Sequence, residues 1–474
     1  MKRIRSLIPL LLLLEFPVHA QSFSTLFTFN AGSSGENPSG PLLQGPGGVL
    51  YGETFDGGTN GNGTLFAINS SGSGFNVLYT FSANGEGYTN IDGADPAGGL
   101  ILSGDTVYGT AIYGGAIWGT VFSFNIGTKE FTTLYIFDGD NPQDDADGTL
   151  PQGGLRLSGN TLYGTAAGSG LADEGSVFSI DIGSDTFSAL HSFSSISSGV
   201  TNYDGAQPTG ALLLSDNTLY GAASDGGLNG AGTLFSINLA GNVFNNFYSF
   251  TSCSNNGAVY IGKNRDGAGP LAGLILSGNT LYGTAYGGGT NAVGTVFSFG
   301  MDGSGFTTLH NFTDGSDGAR PNCTLLLSGD SLYGTTQYGG ADGYGTVFSV
   351  KTDGSGFTTL HSFTGGSDGS FPNSGLILSS GVLYGTANDG GTNGCGTIFS
   401  ISLSTPPQLT IQRLGNHPVL AWSDVDTGYT LKSTTNLVSP VTWTIVTPAP
   451  VVVNGQFTVT NLISGKQVFY QLSQ

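Results

Sequence analysis

Carboxylates, imidazoles and aromatic rings recur at fixed places along this chain, and the residues around each decide what chemistry it could perform. Asp-Gly-x-x-Pro places a carboxylate at Asp92, Asp147, Asp204, Asp266, Asp317 and Asp368, with Ser34 at the matching place nearest the start. Asp and Gly favour a tight turn, and a proline entering a strand gives up only one backbone donor, so the pattern reads as a turn leading into a strand. Carboxylates among loop carbonyls also suit a hard cation. The densest group is Asp138, Asp140, Asp144, Asp145 and Asp147, which makes calcium the candidate ion, although the spacing matches no EF-hand.

His191, His310 and His361 stand where other copies of the same motif place Phe27, Tyr79, Tyr135 and Tyr248. Interchange with aromatic rings predicts packing rather than proton transfer. Gly365-Gly366-Ser367-Asp368-Gly369 has the GxSxG form, but that nucleophile works on a strand-to-helix turn and no helical pattern follows. With 81 glycines in the chain, chance matches to such patterns are expected. No catalytic constellation stands out. Phe55, Tyr113, Trp118, Tyr286, Tyr338 and Tyr344 lie in or beside glycine-rich loops. Turned outward they stack on sugar rings; turned inward they pack between repeats, the commoner use of such rings. Tyr113, Trp118, Tyr286, Tyr338 and Tyr344 are the ligand-contact candidates.

The elements that position these residues repeat seven times. Leu/Val-Tyr-Gly has its tyrosine at Tyr51, Tyr108, Tyr163, Tyr220, Tyr282, Tyr333 and Tyr384. A motif like Gly-Thr-Val-Phe follows, ending at Phe66, Phe122, Phe178, Phe235, Phe297, Phe348 and Phe399. Phe-x-x-Leu-x-x-Phe is the third, beginning at Phe23, Phe75, Phe131, Phe187, Phe244, Phe306 and Phe357. With the strand-like run before each tyrosine, every unit holds four short alternating segments, the strand count of a propeller blade. The third motif comes first in the chain, and the last unit lacks its own copy. A closed ring explains that offset, because the N-terminal strand completes the last blade and removes the exposed edges. The fold class predicted is therefore all-β: a seven-bladed β-propeller closed by the N-terminal strand. From the last phenylalanine of one unit to the tyrosine of the next there are 22, 27, 26, 27, 32, 21 and 21 residues, while the other spacings barely change. Length variation thus collects on one rim, where binding usually resides.

The set LYGT…GG…GxGTVFSI…GSGFTTLHSF, clearest from Leu332 to Phe363, resembles the GloVer (Gloeo/Verruco) tandem-repeat family of exported bacterial proteins. The resemblance covers roughly residues 23 to 403. It implies a "choice-of-anchor" protein, in which the array is followed by one of several C-terminal surface or sorting modules, and it carries over no catalytic residues.

Met1 to Ala20 reads as a secretory signal, with Lys2, Arg3 and Arg5 before the apolar run Leu7 to Leu14. No later stretch is apolar enough for a membrane helix. The formal charge is −20 and moves to about −22 once that segment is removed, a field that repels nucleic acid and anionic membranes. Cys253, Cys323 and Cys395 have neither the spacing nor the density of a disulfide scaffold. Thr405-Pro406-Pro407 opens a glycine-poor tail with alternating β-like runs. The expected organisation is a signal over 1–20, the propeller over 21–404 and a small β-sandwich accessory domain over 405–474. The expected function is noncatalytic: an exported binding or surface-interaction propeller for a glycan or another exported protein. The alternative is a carbohydrate-active hydrolase or lyase using carboxylates at the channel mouth.

Overall fold

The computed structural model describes residues 22–85, 89–139, 147–172, 174–196, 200–254 and 262–403, and in the tail 409–414, 417–423, 430–435, 443–447, 449–453, 456–460 and 468–473. No α-helix occurs among the described residues. The chain divides into two compact units, one Phe23–Ile401 and the other containing Ser402–Gln474.

In the larger unit each repeat becomes a sheet. The sixth serves as the pattern: Leu326–Ser328, Ser331–Thr336, Thr346–Lys351 and Thr358–Ser362 pair antiparallel in chain order. Threonine, valine and aromatic residues fill these strands because they fit a pleated, half-buried surface, and Ser328-Gly329-Asp330 turns the first strand back into the second. Gly334 has to be glycine. A Cβ there would lie 2.7 Å from Phe348 and 2.9 Å from Leu325, so these two side chains cross the second strand only because it is bare at that point. The same crossing recurs at Gly52, Gly109, Gly164, Gly221, Gly283 and Gly385.

Seven such sheets lie along the unit among the described residues, the second carrying an extra short strand, Ala94–Pro96. The last sheet takes Ile377–Ser379, Val382–Ala387 and Thr397–Ser402 from the end of the array and its fourth strand, Phe23–Thr28, from the start. Thr25 sits opposite Phe399. The offset in motif order predicts this pairing.

Neighbouring sheets are joined by rings. Tyr79 stacks on Phe131 of the next sheet at 4.2 Å, while Phe81 meets Phe122 and Phe131 edge-on. Equivalent stacks join Tyr135 to Phe187, His191 to Phe244, Tyr248 to Phe306 and His310 to Phe357. The series does not stop at the chain ends. His361 stacks on Phe23 at 3.7 Å, and Phe27 stacks on Phe75 at 3.8 Å, so the last sheet packs on the first. Phe29 and Ile398 share one buried cluster with Leu50 and Phe66.

The repeated aspartates serve these stacks. The hydroxyls of Tyr79, Tyr135 and Tyr248 donate to Asp92, Asp147 and Asp266 at 2.6–2.9 Å. His191, His310 and His361 place Nε2 2.9–3.1 Å from Asp204, Asp317 and Asp368. Backbone N–H groups of Ser82, Ser194, Thr251, Thr313 and Thr364 donate to the corresponding carboxylates. Where the ring is Phe27, with no polar tip, Ser34 stands in and accepts from the Asn30 N–H. Histidine and tyrosine thus interchange because both are flat and both present a donor to the same carboxylate.

The smaller unit holds two antiparallel sheets. One has the order Thr410–Leu414, His417–Ser423, Gln456–Thr460, Val451–Val453, and the other Thr444–Ile445, Thr430–Thr434, Phe469–Ser473. Leu420, Trp422, Leu431, Val446 and Val459 form their buried core.

Deleting residues 22–30 leaves the edge of Thr397–Ser402 unpaired and Phe75 and His361 without their stacking partners. Thermal unfolding by circular dichroism should lose its cooperative transition, with aggregation on size exclusion; a normal melt would mean the closing strand is dispensable. A second test concerns pH. Burial lowers the imidazoles of His310 and His361 against the opposing pull of Asp317 and Asp368. The unfolded chain therefore binds protons first as pH falls through about 6.5, and the folded state loses stability there. His310→Tyr with His361→Tyr should shrink the fall in Tm between pH 7.5 and pH 5, measured by scanning calorimetry.

Candidate ligand-binding pocket and rim

The loops that join strands two and three meet the segments that lead into the next repeat. The N–H groups of Asn37, Asp95, Leu150, Gln207, Gly269, Arg320 and Phe371 donate to the carbonyls of Cys395, Asn62, Trp118, Glu174, Ala231, Val293 and Tyr344. Each bond links one repeat to the next, and Asn37 to Cys395 links the first to the last. Beside each bond a glycine faces a proline so closely that a Cβ would lie 2.4–2.7 Å from the proline Cδ, as at Gly63 with Pro96 and Gly396 with Pro38. The variable segments and the glycine-rich loops therefore share one rim, as the spacing predicts.

A cavity of about 640 Å³ opens among the seven repeats. The residue after each repeat's proline lines it: Ser39, Ala97, Gln152, Thr209, Leu271, Asn322 and Asn373. Hydroxyl and amide groups dominate this set, and it contains no charge. The carboxylates on the wall are Asp56 and Asp389. Asp389 accepts from the Asn37 amide at 2.8 Å. Burial, and then the charge of Glu36 directly across the ladder, raise Asp56. Burial followed by Asp56 pushes nearby Asp95 up to about 7.

The sequence-predicted rings fall in two sectors. Tyr113 is 43% exposed, whereas Trp118 packs against the cluster that contains Val121, Phe137 and Leu155. Tyr286, Tyr338 and Tyr344 come together around two residues that reasoning from the sequence missed, Arg320 and Phe371. The Arg320 guanidinium lies 5.2 Å from the Tyr286 ring and 5.8 Å from the Tyr338 ring. Phe371 touches Tyr338 and Tyr344 at ring distances of 5.3 and 5.7 Å. The signal was present in Asp-Gly-x-x-Pro, whose second variable residue is Arg320 in the sixth repeat and Phe371 in the seventh.

Of the calcium candidates, Asp140, Asp144 and Asp145 lie outside the described residues, Asp138 is exposed, and Asp147 is bonded to Tyr135. Among the described residues no group of three or more His, Cys, Asp or Glu is placed to hold a metal ion. The GxSxG serine, Ser367, sits in a tight turn, and its carbonyl accepts from the Thr25 hydroxyl.

The Gloeobacter/Verrucomicrobia repeat profile matches residues 13–201, 89–263 and 257–417. The chain belongs to this family. No curated protein sequence matches it. Among solved structures, it is similar to TolB from Acinetobacter baumannii at 11% identity, covering 62% of this chain and 58% of that one, with a TM-score of 0.38. It thus spans little more than half of that TolB. Oligogalacturonate lyase from Vibrio parahaemolyticus is similar at 10% identity over 81% of this chain and 97% of that one, and the GH74 enzyme of Niastella koreensis at 13% over 93% and 72%, each with a TM-score of 0.49.

One position of this Gloeobacter/Verrucomicrobia repeat departs from the rest in a way that matters for stability. Thr165, Thr284 and Thr335 donate to carbonyls in the segment leading into the next sheet, at Gly210, Cys323 and Ser374. The first repeat has Glu53 instead, which accepts from the Gly99 N–H at 2.6 Å. Glu53 is 1% exposed, and its other oxygen has no hydrogen-bond partner among the described residues. Burial, opposed by the Gly99 bond, pushes its pKa up to about 8. The folded state therefore holds a proton that the unfolded chain releases near the ordinary glutamate value, so stability falls as pH rises between about 4.5 and 8, with a slope on the order of 1 kcal/mol per pH unit. Glu53→Gln should melt above the unsubstituted protein at pH 8.5 and close to it at pH 4.5; a pH-independent difference would contradict a protonated Glu53.

Proposed function

We propose that Phe23–Ile401 is a seven-bladed β-propeller closed by its N-terminal strand, and that the protein is an exported, noncatalytic binder of glycans. The observation that carries this reading is the cavity among the repeats, lined by the variable residue after each proline. A framework that holds its prolines and glycines constant while varying one cavity-facing side chain per repeat is built to recognise a ligand. Hydroxyl and amide groups such as Gln152, Thr209, Asn322 and Asn373 match sugar hydroxyls, and Tyr338, Tyr344 and Phe371 offer ring faces at the rim. Export rests on the basic start and apolar run Leu7 to Leu14. The unit containing Ser402–Gln474 would then serve as a β-sandwich accessory or surface-attachment module.

A second reading has its own observation. Asp56 and Asp389 both face the cavity; burial beside Glu36 raises Asp56, whereas Asp389 accepts from the Asn37 amide. Two acids in unlike surroundings are what a glycoside-cleaving enzyme requires.

A glycan array, followed by calorimetry on the best ligand and chromatography of the incubated sugar, separates the two. Saturable binding that raises Tm and releases no product supports the binder. Product formation abolished by Asp56→Asn would replace it with the enzyme. Absence of any glycan ligand, with capture of an exported protein instead, would shift the partner class.

A further inference from the structure

One backbone position on the rim is strained in almost every repeat. The residue before the proline of Asp-Gly-x-x-Pro, or of its first-repeat counterpart, has φ between +53° and +65° at Asn37, Asp95, Leu150, Gln207, Gly269, Arg320 and Phe371. The left-handed region costs a residue bearing a Cβ about 1 kcal/mol or more, and a following proline restricts the backbone further. Glycine would relieve that cost, yet it appears only at Gly269. The other six are all different; Gln207 is exposed and the rest are half-buried. The neighbours are constant: a glycine two residues before, a proline after, and a backbone bond to the preceding loop. The fold therefore asks for the conformation and is indifferent to the side chain. Strain kept at varied, solvent-reaching residues marks a working surface.

We infer that this ring of residues sets ligand specificity and that Arg320 makes its sector a subsite for the carboxylate of an acidic sugar. The inference rests on the glycan-binding reading. Arg320 is one of six basic residues in Phe23–Ile401, with Lys129, Arg156, Lys263, Arg265 and Lys351. Lys351 is paired with Asp330 at 2.7 Å. No ion pair is formed by Arg320 among the described residues. Its guanidinium is held against the Tyr286 and Tyr338 rings and donates to the Tyr286 hydroxyl at 3.4 Å. A guanidinium has five N–H donors in a planar fork, so an edge is left for a two-pronged bond to a carboxylate. The open hollow beside it, about 590 Å³, is lined by Arg320, Tyr338 and, as its one acidic residue, Asp314. A sugar ring carrying a carboxylate on one edge and hydroxyls on the other fits this arrangement: carboxylate to Arg320, ring face to Tyr338, hydroxyls to Asp314. The same acidic residue disfavours a densely charged polyanion.

The test uses the full mature chain, with uronic-acid oligosaccharides and their carboxyl-reduced neutral counterparts as titrants in calorimetry, alongside thermal melts. The unsubstituted protein should prefer the acidic form by about tenfold or more. In Arg320→Gly the two forms should bind alike, while Tm stays level or rises because glycine suits the backbone there. Leu150→Gly, at the same ring position in another sector, should likewise hold or raise Tm. Equal binding of both forms by the unsubstituted protein overturns the proposal and leaves the glycan reading standing. A preference that survives Arg320→Gly, or a Tm lowered by several degrees in that variant, also overturns it. Failure of both forms and of every neutral glycan on the array would remove the glycan reading and this subsite together.

Discussion

Stacking between the outer strands of neighbouring sheets is the interaction on which the rest of this protein depends. At each junction two rings from one repeat, such as Tyr79 and Phe81, close on two from the next, Phe122 and Phe131. Each aromatic pair contributes about 0.5–1.5 kcal/mol beyond the area it buries, and the contacts run from repeat to repeat without a free end. The chain can therefore fold with few charged residues and a charge of −20, since its repeats are joined largely by ring stacking and backbone hydrogen bonds. The aspartates of Asp-Gly-x-x-Pro are fixed to the polar tips of the same rings.

A consequence is a division of labour within a single repeat. Strand glycines such as Gly334, the phenylalanines and the Asp-Gly…Pro frame answer to packing. The residues before and after the proline answer to something else, because the frame holds them in position whatever they are. Asn37 and Ser39, Arg320 and Asn322, or Phe371 and Asn373 show how far the two positions range while the backbone stays the same. Side chains can change at these sites without disturbing a junction.

The legible part of the fold was the part with a period. Seven copies of three motifs, and their shifted order, pointed to four-strand units and to a pairing between Phe23–Thr28 and Thr397–Ser402. Interchange of His191, His310 and His361 with tyrosine pointed to packing, and the stacks on Phe244, Phe357 and Phe23 have that geometry. The site was harder to read, since loop side chains have no periodicity that fixes their direction. Trp118 and Tyr338 look alike in the sequence, yet one packs into a cluster and the other joins Arg320. Glu53 was hidden for another reason. Only its burial against Gly99 distinguishes it from an ordinary surface acid, and that depends on a neighbouring sheet.

The closing strand also sets an order of events. Phe23–Thr28 is synthesised before the rest of the array, but its hydrogen-bond partner, Thr397–Ser402, is among the last pieces of the array to be made. Until then the leading strand has no edge to join and the first sheet no neighbour on one side. The growing chain thus stays open through most of its synthesis, and the final turn of the array completes it all at once.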